Sequence, residues 1–324
     1  MRERGLKRDE NDQRSLRHGR DRNVGFSFEK EYFQYMPFFY SSEGNVDYAS
    51  VGNYRGAHAF LICGGPSFGD LDHSKLKNCL TMGLNNSVKT YRPDLWTCVD
   101  DPSRFLKSIW LDPKIHKFVP FDHTESELWD NTVNNWGPLL DQENKKKVIK
   151  VRQCPNITYV RRNEKFEPSR WLFEYTFNWG DHSKWGGGRS VMLVALKLLF
   201  VLGVRNVYLL GCDLLMDESH KYHFDENRDN GAQKCNMNTY KKMIEEYFPK
   251  LKPYFDNAGF NVFNCNPNSR LKVFPHISYD EAIKRAIENI GIEEEISCGM
   301  YRKYGDKKRE MDKDRKILKE GGTI

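Results

Sequence analysis

Ala57-His58-Ala59-Phe60-Leu61-Ile62-Cys63-Gly64-Gly65-Pro66-Ser67 is the stretch whose reading decides the fold. A short apolar run, too brief for a helix, enters a Gly-Gly-Pro-Ser turn, which is the first half of a strand–turn–helix unit. Outward from it the pattern repeats. Leu80 to Asn85 and Leu95 to Asp100 are apolar runs capped by polar residues, Lys117 to Pro120 and Ile157 to Val160 are shorter ones, and Val207 to Asp213 and Asn261 to Cys265 follow later. Continuous apolar runs of this length suit strands buried on both faces of a parallel sheet. Between them, Val191 to Leu202 reads as an apolar helix ending near Gly203, Thr239 to Ala258 as an amphipathic helix, and residues 279–290 as a closing helix. The alternation predicts an α/β protein: a Rossmann-like parallel sheet with helices on both faces, in a single domain with flexible charged tails.

A chain of 324 residues with 39% hydrophobic content is long enough to bury a large core. Its formal charge of +6 is peripheral: eight Lys/Arg against five Asp/Glu in residues 1–22, and nine against five in 301–324, leave the middle near neutral. Such a balance argues against a basic nucleic-acid face on the fold itself and suits tails that touch an acidic partner or are simply solvated. The expected organisation is a disordered basic tail over 1–25, an aromatic-rich strap over 26–56, a catalytic domain over 57–292 with a lid region near 123–188, and a charged tail over 293–324. Trp171 to Trp185 holds four further aromatics, as a surface lid or a loop beneath one. None of the eight cysteines forms a Cys-x-x-Cys pair; Cys63, Cys98, Cys212 and Cys265 sit in or just after apolar runs and read as buried thiols. No signal-peptide apolar segment follows the charged start, and the longest apolar stretch, Val191 to Val204, contains Lys197 and is too short to span a bilayer. A cytoplasmic location is expected, that of a host if the protein is viral.

In open α/β sheets, ligands bind beyond the carboxyl ends of the strands. The candidates are therefore Gly64, Gly65, Pro66 and Ser67; Asn85 and Asn86; Asp100 and Asp101; Gly211 and Asp213; and Asn266, Pro267, Asn268 and Ser269. Each alone is ordinary turn chemistry, and their number is the signal. Gly64-Gly65 permits close backbone approach and amides for a phosphate, yet the motif is neither Gly-x-Gly-x-x-Gly nor a Walker loop. Gly187 and Gly188 precede a second helix start, where Arg189 either pairs with a phosphate or forms a surface ion pair. Asp100 and Asp101, with Asp213, either hold Mg²⁺ or Mn²⁺ or bond sugar hydroxyls. His220, Tyr222, His223 and Asp225 lie just past the Asp213 strand, and a histidine there suits a general base.

Read in order, these motifs resemble the bacterial sialyltransferases of the Campylobacter type. The matching stretches are Cys63 to Ser67, Asn85, Asp101-Pro102-Ser103, Gly203 to Asp213, Tyr222-His223-Phe224-Asp225 and Cys265 to Ser269, across roughly residues 57–275. The resemblance implies a nucleotide-sugar donor enclosed by Gly65, Ser67, Asn85, Asp213 and Pro267 to Ser269, with Tyr222 beside the leaving phosphate. Where that family carries Asn, positions 64 and 101 hold Gly and Asp, and no histidine lies between Glu226 and Thr239. Part of the pattern, Gly211-Cys212-Asp213-Leu214 above all, is also similar to pterin diphosphokinase-like proteins, and the whole to phage proteins labelled norphogenetic. The expected activity is a glycosyltransferase acting by inverting transfer from a nucleotide sugar to a hydroxyl acceptor. His223, Asp225 or His220 would deprotonate the acceptor, a glycan or hydroxymethylated DNA. Glycine-rich amides, Tyr222 and Arg189 would meet the phosphate charge. Mg²⁺-dependent diphosphate transfer from ATP and a non-catalytic nucleotide-binding module are the alternatives.

Overall fold

The computed structural model describes residues 38–47, 50–128, 148–180, 189–217, 222–224, 226, 230–288 and 316. The chain divides into two compact units, Met1–Asn289 and Ile290–Ile324, and every described residue except Lys316 lies in the first. The terminal segments 1–25 and 293–324 otherwise fall outside the described residues, as do 26–37 of the aromatic strap and 129–147 and 181–188 of the expected lid region.

Eleven strands are described: β1 Phe39–Tyr40, β2 Val46–Asp47, β3 His58–Ile62, β4 Leu80–Leu84, β5 Leu95–Thr97, β6 His116–Pro120, β7 Glu127–Leu128, β8 Ile149–Lys150, β9 Ile157–Val160, β10 Asn206–Leu210 and β11 Asn261–Asn264. Nine form one sheet in the order β11-β10-β3-β4-β5-β6-β9-β1-β2, and β7 pairs with β8 apart. From β11 to β9 every pairing is parallel; β1 and β2 close that edge as an antiparallel pair. The chain runs outward from β3 through β9, then returns to lay β10 on the other flank of β3. Strand order therefore reverses between β3 and β10, and the carboxyl ends of those two strands open the crevice where ligands of such sheets bind.

The helices are α1 Lys107–Leu111, α2 Pro168–Trp171, α3 Val191–Val201, α4 Asn230–Lys242, α5 Phe248–Asn257 and α6 Tyr279–Glu288, with a π-helical turn at Met243–Tyr247 joining α4 to α5. Alternation along β3 and β10 explains the layers. Ala59, Leu61, Val207 and Leu209 face a core built with α3 and α5, while Phe60, Ile62, Tyr208 and Leu210 face one closed by Phe68, Leu76 and the Ala282–Ala286 face of α6. Helix α3 is buried from Met192 to Val201, so it carries no polar face. Its Lys197 is buried too, donates to the Trp171 carbonyl, and lies over the Phe38 and Trp171 rings; burial holds its amine well below the usual lysine range.

Three local readings differ from the sequence expectation. The helix expected at Thr239 begins at Asn230, because Asn236 bonds Tyr222 and Met237 accepts from the Met216 amide, contacts that no local pattern encodes. It is also interrupted: Pro249 has no N–H for the Glu245 carbonyl, and the π turn over 243–247 accommodates the misfit. Finally, the described part of the expected lid is not peripheral. It supplies β9 to the sheet, and Trp171, Phe177 and Trp179 are buried in the main core. Cys63, Cys98, Cys212 and Cys265 are buried, as expected. Among the described residues no helix is long and apolar enough to cross a membrane.

Candidate functional site

Asp213 organises the reversal point. Its Oδ2 accepts from the Ser67 amide at 3.3 Å and the Ser67 hydroxyl at 3.0 Å, and its Oδ1 accepts a short hydrogen bond from Asn266 Nδ2. One carboxylate thereby joins the ends of β3, β10 and β11, residues 146 and 53 positions apart. Hydrogen bonds to an ionised acceptor are about twice as strong as neutral ones. The chain leaves β10 at Gly211 with φ of +60°, where a Cβ would lie 2.9 Å from Phe68 Cβ. The Gly211 carbonyl accepts from the Gly65 amide at 2.8 Å.

These bonds revise the expected role of the glycine loop. The Gly65 and Ser67 amides donate within the protein and Pro66 has none, so these three positions offer a phosphate no amide. The Asn266-to-Ser269 turn is similarly internal: the Asn266 carbonyl accepts from the Ser269 amide, Asn268 donates its amide to Asn266 Oδ1, and the buried Ser269 hydroxyl donates to the Cys212 carbonyl. Pro267 accepts from Lys272 Nζ through its carbonyl.

A second layer lies against the loop. The Tyr222 ring lies within 3.0 Å of where a Gly64 Cβ would be, and it stacks on Phe224 at 4.8 Å between centroids. Asn236 donates to the Tyr222 hydroxyl at 3.1 Å. His223 bonds the Cys63 carbonyl at 2.9 Å through Nε2 and the Thr90 hydroxyl at 2.8 Å through Nδ1, and its backbone amide donates to the Gly64 carbonyl. A carbonyl only accepts, so Nε2 carries the proton and Nδ1 accepts from Thr90. Burial is the main cause that lowers this imidazole to about 4, with His73 adding to it and the bond to the Cys63 carbonyl opposing. His223 is thus neutral, with both nitrogens engaged. That geometry suits fastening the segment after β10 better than abstracting a proton. His220, Asp225, Gly187 and Gly188 lie outside the described residues.

At the end of β4, Asn86 Nδ2 donates to Glu226 Oε2 at 2.8 Å. Asn85 takes a left-handed φ of +46° and its carbonyl accepts from Trp96 Nε1. The side-chain oxygens Asn85 Oδ1 and Asn86 Oδ1 are buried without a hydrogen-bond partner. Orphaned acceptors each cost about 1–3 kcal/mol and mark a place where a donor belongs.

The expected metal carboxylates do not converge. Asp101 accepts from the Ser103 amide and hydroxyl at 2.9 and 2.7 Å, capping the turn Pro102–Arg104, and the Ser103 hydroxyl is the main cause holding its carboxyl below the usual range. Asp100 pairs with Arg104 at 3.9 Å. Asp213 stands three strands away, roughly 14 Å at ordinary strand spacing, too far to share one ion with either. Among the described residues no three His, Cys, Asp or Glu side chains form a metal-binding group. Arg189 is exposed at the start of α3, whose Met192 touches Cys212 beside Asp213. Sequence reasoning missed Thr90, Glu226 and Asn236, which carry no motif and enter through contacts 133, 140 and 14 residues apart.

The fold and this crevice define the class: an α/β protein of Rossmann-like build with its candidate site at the point of strand reversal. No family model matches the sequence, and no curated protein does. Two solved structures are similar. One is the MAf glycosyltransferase from Magnetospirillum magneticum AMB-1, 14% identical with a TM-score of 0.41, covering 82% of this chain and 42% of that one. The other is the sialyltransferase CstII from Campylobacter jejuni in complex with a substrate analogue, cytidine-5'-monophosphate, 15% identical with a TM-score of 0.36, covering 69% of this chain and 86% of that one. Both are glycosyltransferases, and the chain spans less than half the length of the first. Neither of the two is a pterin diphosphokinase-like or a phage protein.

Proposed function

We propose that the chain is a glycosyltransferase that moves a sugar from a nucleotide-sugar donor to a hydroxyl acceptor, with the donor in the crevice beyond β3, β4 and β10. The observation that carries this reading is the fastening of three strand ends by Asp213 at the reversal point, where sheets of this build bind nucleotides. Tyr222, oriented by Asn236 against Gly64, stands beside the leaving phosphate, and Arg189 supplies positive charge at the α3 end of the crevice. His223 holds the Tyr222 segment in place, so the acceptor proton falls to His220 or Asp225. The described carboxylates Asp100, Asp101 and Asp213 do not fit a shared cation, and the transfer needs none of them as metal ligands.

Isothermal titration of the full chain with CMP, UDP, GDP and ATP, each with and without Mg²⁺, tests the reading. Binding of a nucleotide without Mg²⁺ is expected. Binding of ATP alone, and only with Mg²⁺, would replace the glycosyltransferase by a diphosphokinase, and an absence of all binding would remove the nucleotide site.

A further inference from the structure

We propose that Asn86 reads the ribose diol of the nucleotide and that Glu226 is the positioning residue that turns Asn86 to do so; this assignment rests on the nucleotide site proposed above. Asn86 is only 8% exposed and sits in the first turn after β4. Its amide nitrogen donates to Glu226 Oε2 at 2.8 Å. A carboxylate only accepts, so the amide cannot flip, and the oxygen is aimed away from Glu226. That oxygen, Asn86 Oδ1, is buried with no hydrogen-bond partner, and so is its neighbour Asn85 Oδ1.

Acceptors without donors on two consecutive residues call for a ligand that brings hydroxyl or amine hydrogens, and they repel a phosphate or carboxylate. Position selects the hydroxyls. Strand β4 flanks β3 on the side away from β10, and Asn86 follows Gly65 by 21 residues. In dinucleotide-binding sheets the acceptor for a ribose hydroxyl stands at the corresponding strand end, about 20 residues after the glycine turn. Here a neutral amide holds that place with a carboxylate behind it. The Glu226 charge polarises the amide and strengthens Oδ1 as an acceptor. Both oxygens are closed to solvent, so the ribose reaches them by displacing what covers them while the Asn86–Glu226 bond stays in place.

Titration calorimetry of the full chain with CMP, UDP, GDP and ATP, and with the 2',3'-dideoxy counterpart of each nucleotide that binds, tests the assignment in wild type, Asn86→Ala and Glu226→Gln. Wild type is expected to prefer the ribonucleotide by roughly tenfold or more. Asn86→Ala is expected to erase the preference by weakening the ribonucleotide alone. In Glu226→Gln the new side chain both donates and accepts, which frees the Asn86 amide to flip; the preference narrows while the dideoxy affinity stays as in wild type. Equal weakening of both ligands in Glu226→Gln would overturn its positioning role. Equal affinity of wild type for both would overturn the ribose assignment and leave the nucleotide site standing. If no nucleotide binds, the nucleotide-sugar reading falls, and this assignment with it.

Discussion

A methyl group on Gly65 would collide with Asp213 Oδ2 and lie 2.6 Å from the Gly211 carbonyl, neither of which can retreat without opening the joint between β3 and β10. Gly65→Ala is therefore expected to cost about 1–3 kcal/mol, read from urea unfolding, as overpacked sites do. An unchanged urea midpoint would show that the joint yields. His223 sets a pH dependence. Burial lowers it from an ordinary value of 6.5 to about 4, so the fold holds it neutral while the unfolded chain takes a proton near 6.5. Its contribution is fully present above about pH 6.5 and is lost as pH falls toward 4. His58 and His116, also lowered by burial, act in the same direction. His223→Gln is expected to show a shallower loss of stability than wild type between those pH values, and equal slopes would refute the buried neutral state. Asp213 and Gly65 were legible as strand-end residues, whereas their contact was not, because it joins positions with no local relation.

The turn Pro102–Arg104 shows how a residue attractive for chemistry can be serving its own backbone. Asp101 accepts from both the amide and the hydroxyl of Ser103 as an N-cap, with proline pre-setting the first position. Asp101→Ala is expected to lower stability by about 1 kcal/mol in denaturant unfolding. It should leave nucleotide affinity, with or without Mg²⁺, unchanged in calorimetry; a lost Mg²⁺-dependent affinity would restore the carboxylate to the site. Most strands and α3 were readable, since apolar runs bounded by glycine or polar residues have few alternatives. The extent of α4 was not, since its first turns are polar and are held by Tyr222 and Met216. Nor was the burial of Trp171, Phe177 and Trp179: aromatic residues between charges read as a loop until the sheet edge and α3 enclose them.

Fastening three strand ends through one carboxylate makes the crevice a property of the assembled sheet. Asp213→Ala would release Ser67 and Asn266 together. It is expected to cost about 2 kcal/mol or more, as lost bonds to a charged group do, and to weaken any nucleotide at least tenfold. Weaker folding with unaltered nucleotide affinity would separate the joint from the site. The amino-acid sequence by itself determined the α/β class, the strand ends and the family of residues standing at them, because periodicity and turn chemistry act over a few residues. Only the tertiary structure decided the rest. It placed the reversal between β3 and β10 and committed the Gly65 and Ser67 amides to the protein. It engaged both nitrogens of His223, and set Asn86 against Glu226. The physical reason is the same in each case: a hydrogen-bonding group's role depends on which partner reaches it, and here those partners arrive from strands and turns distant along the chain.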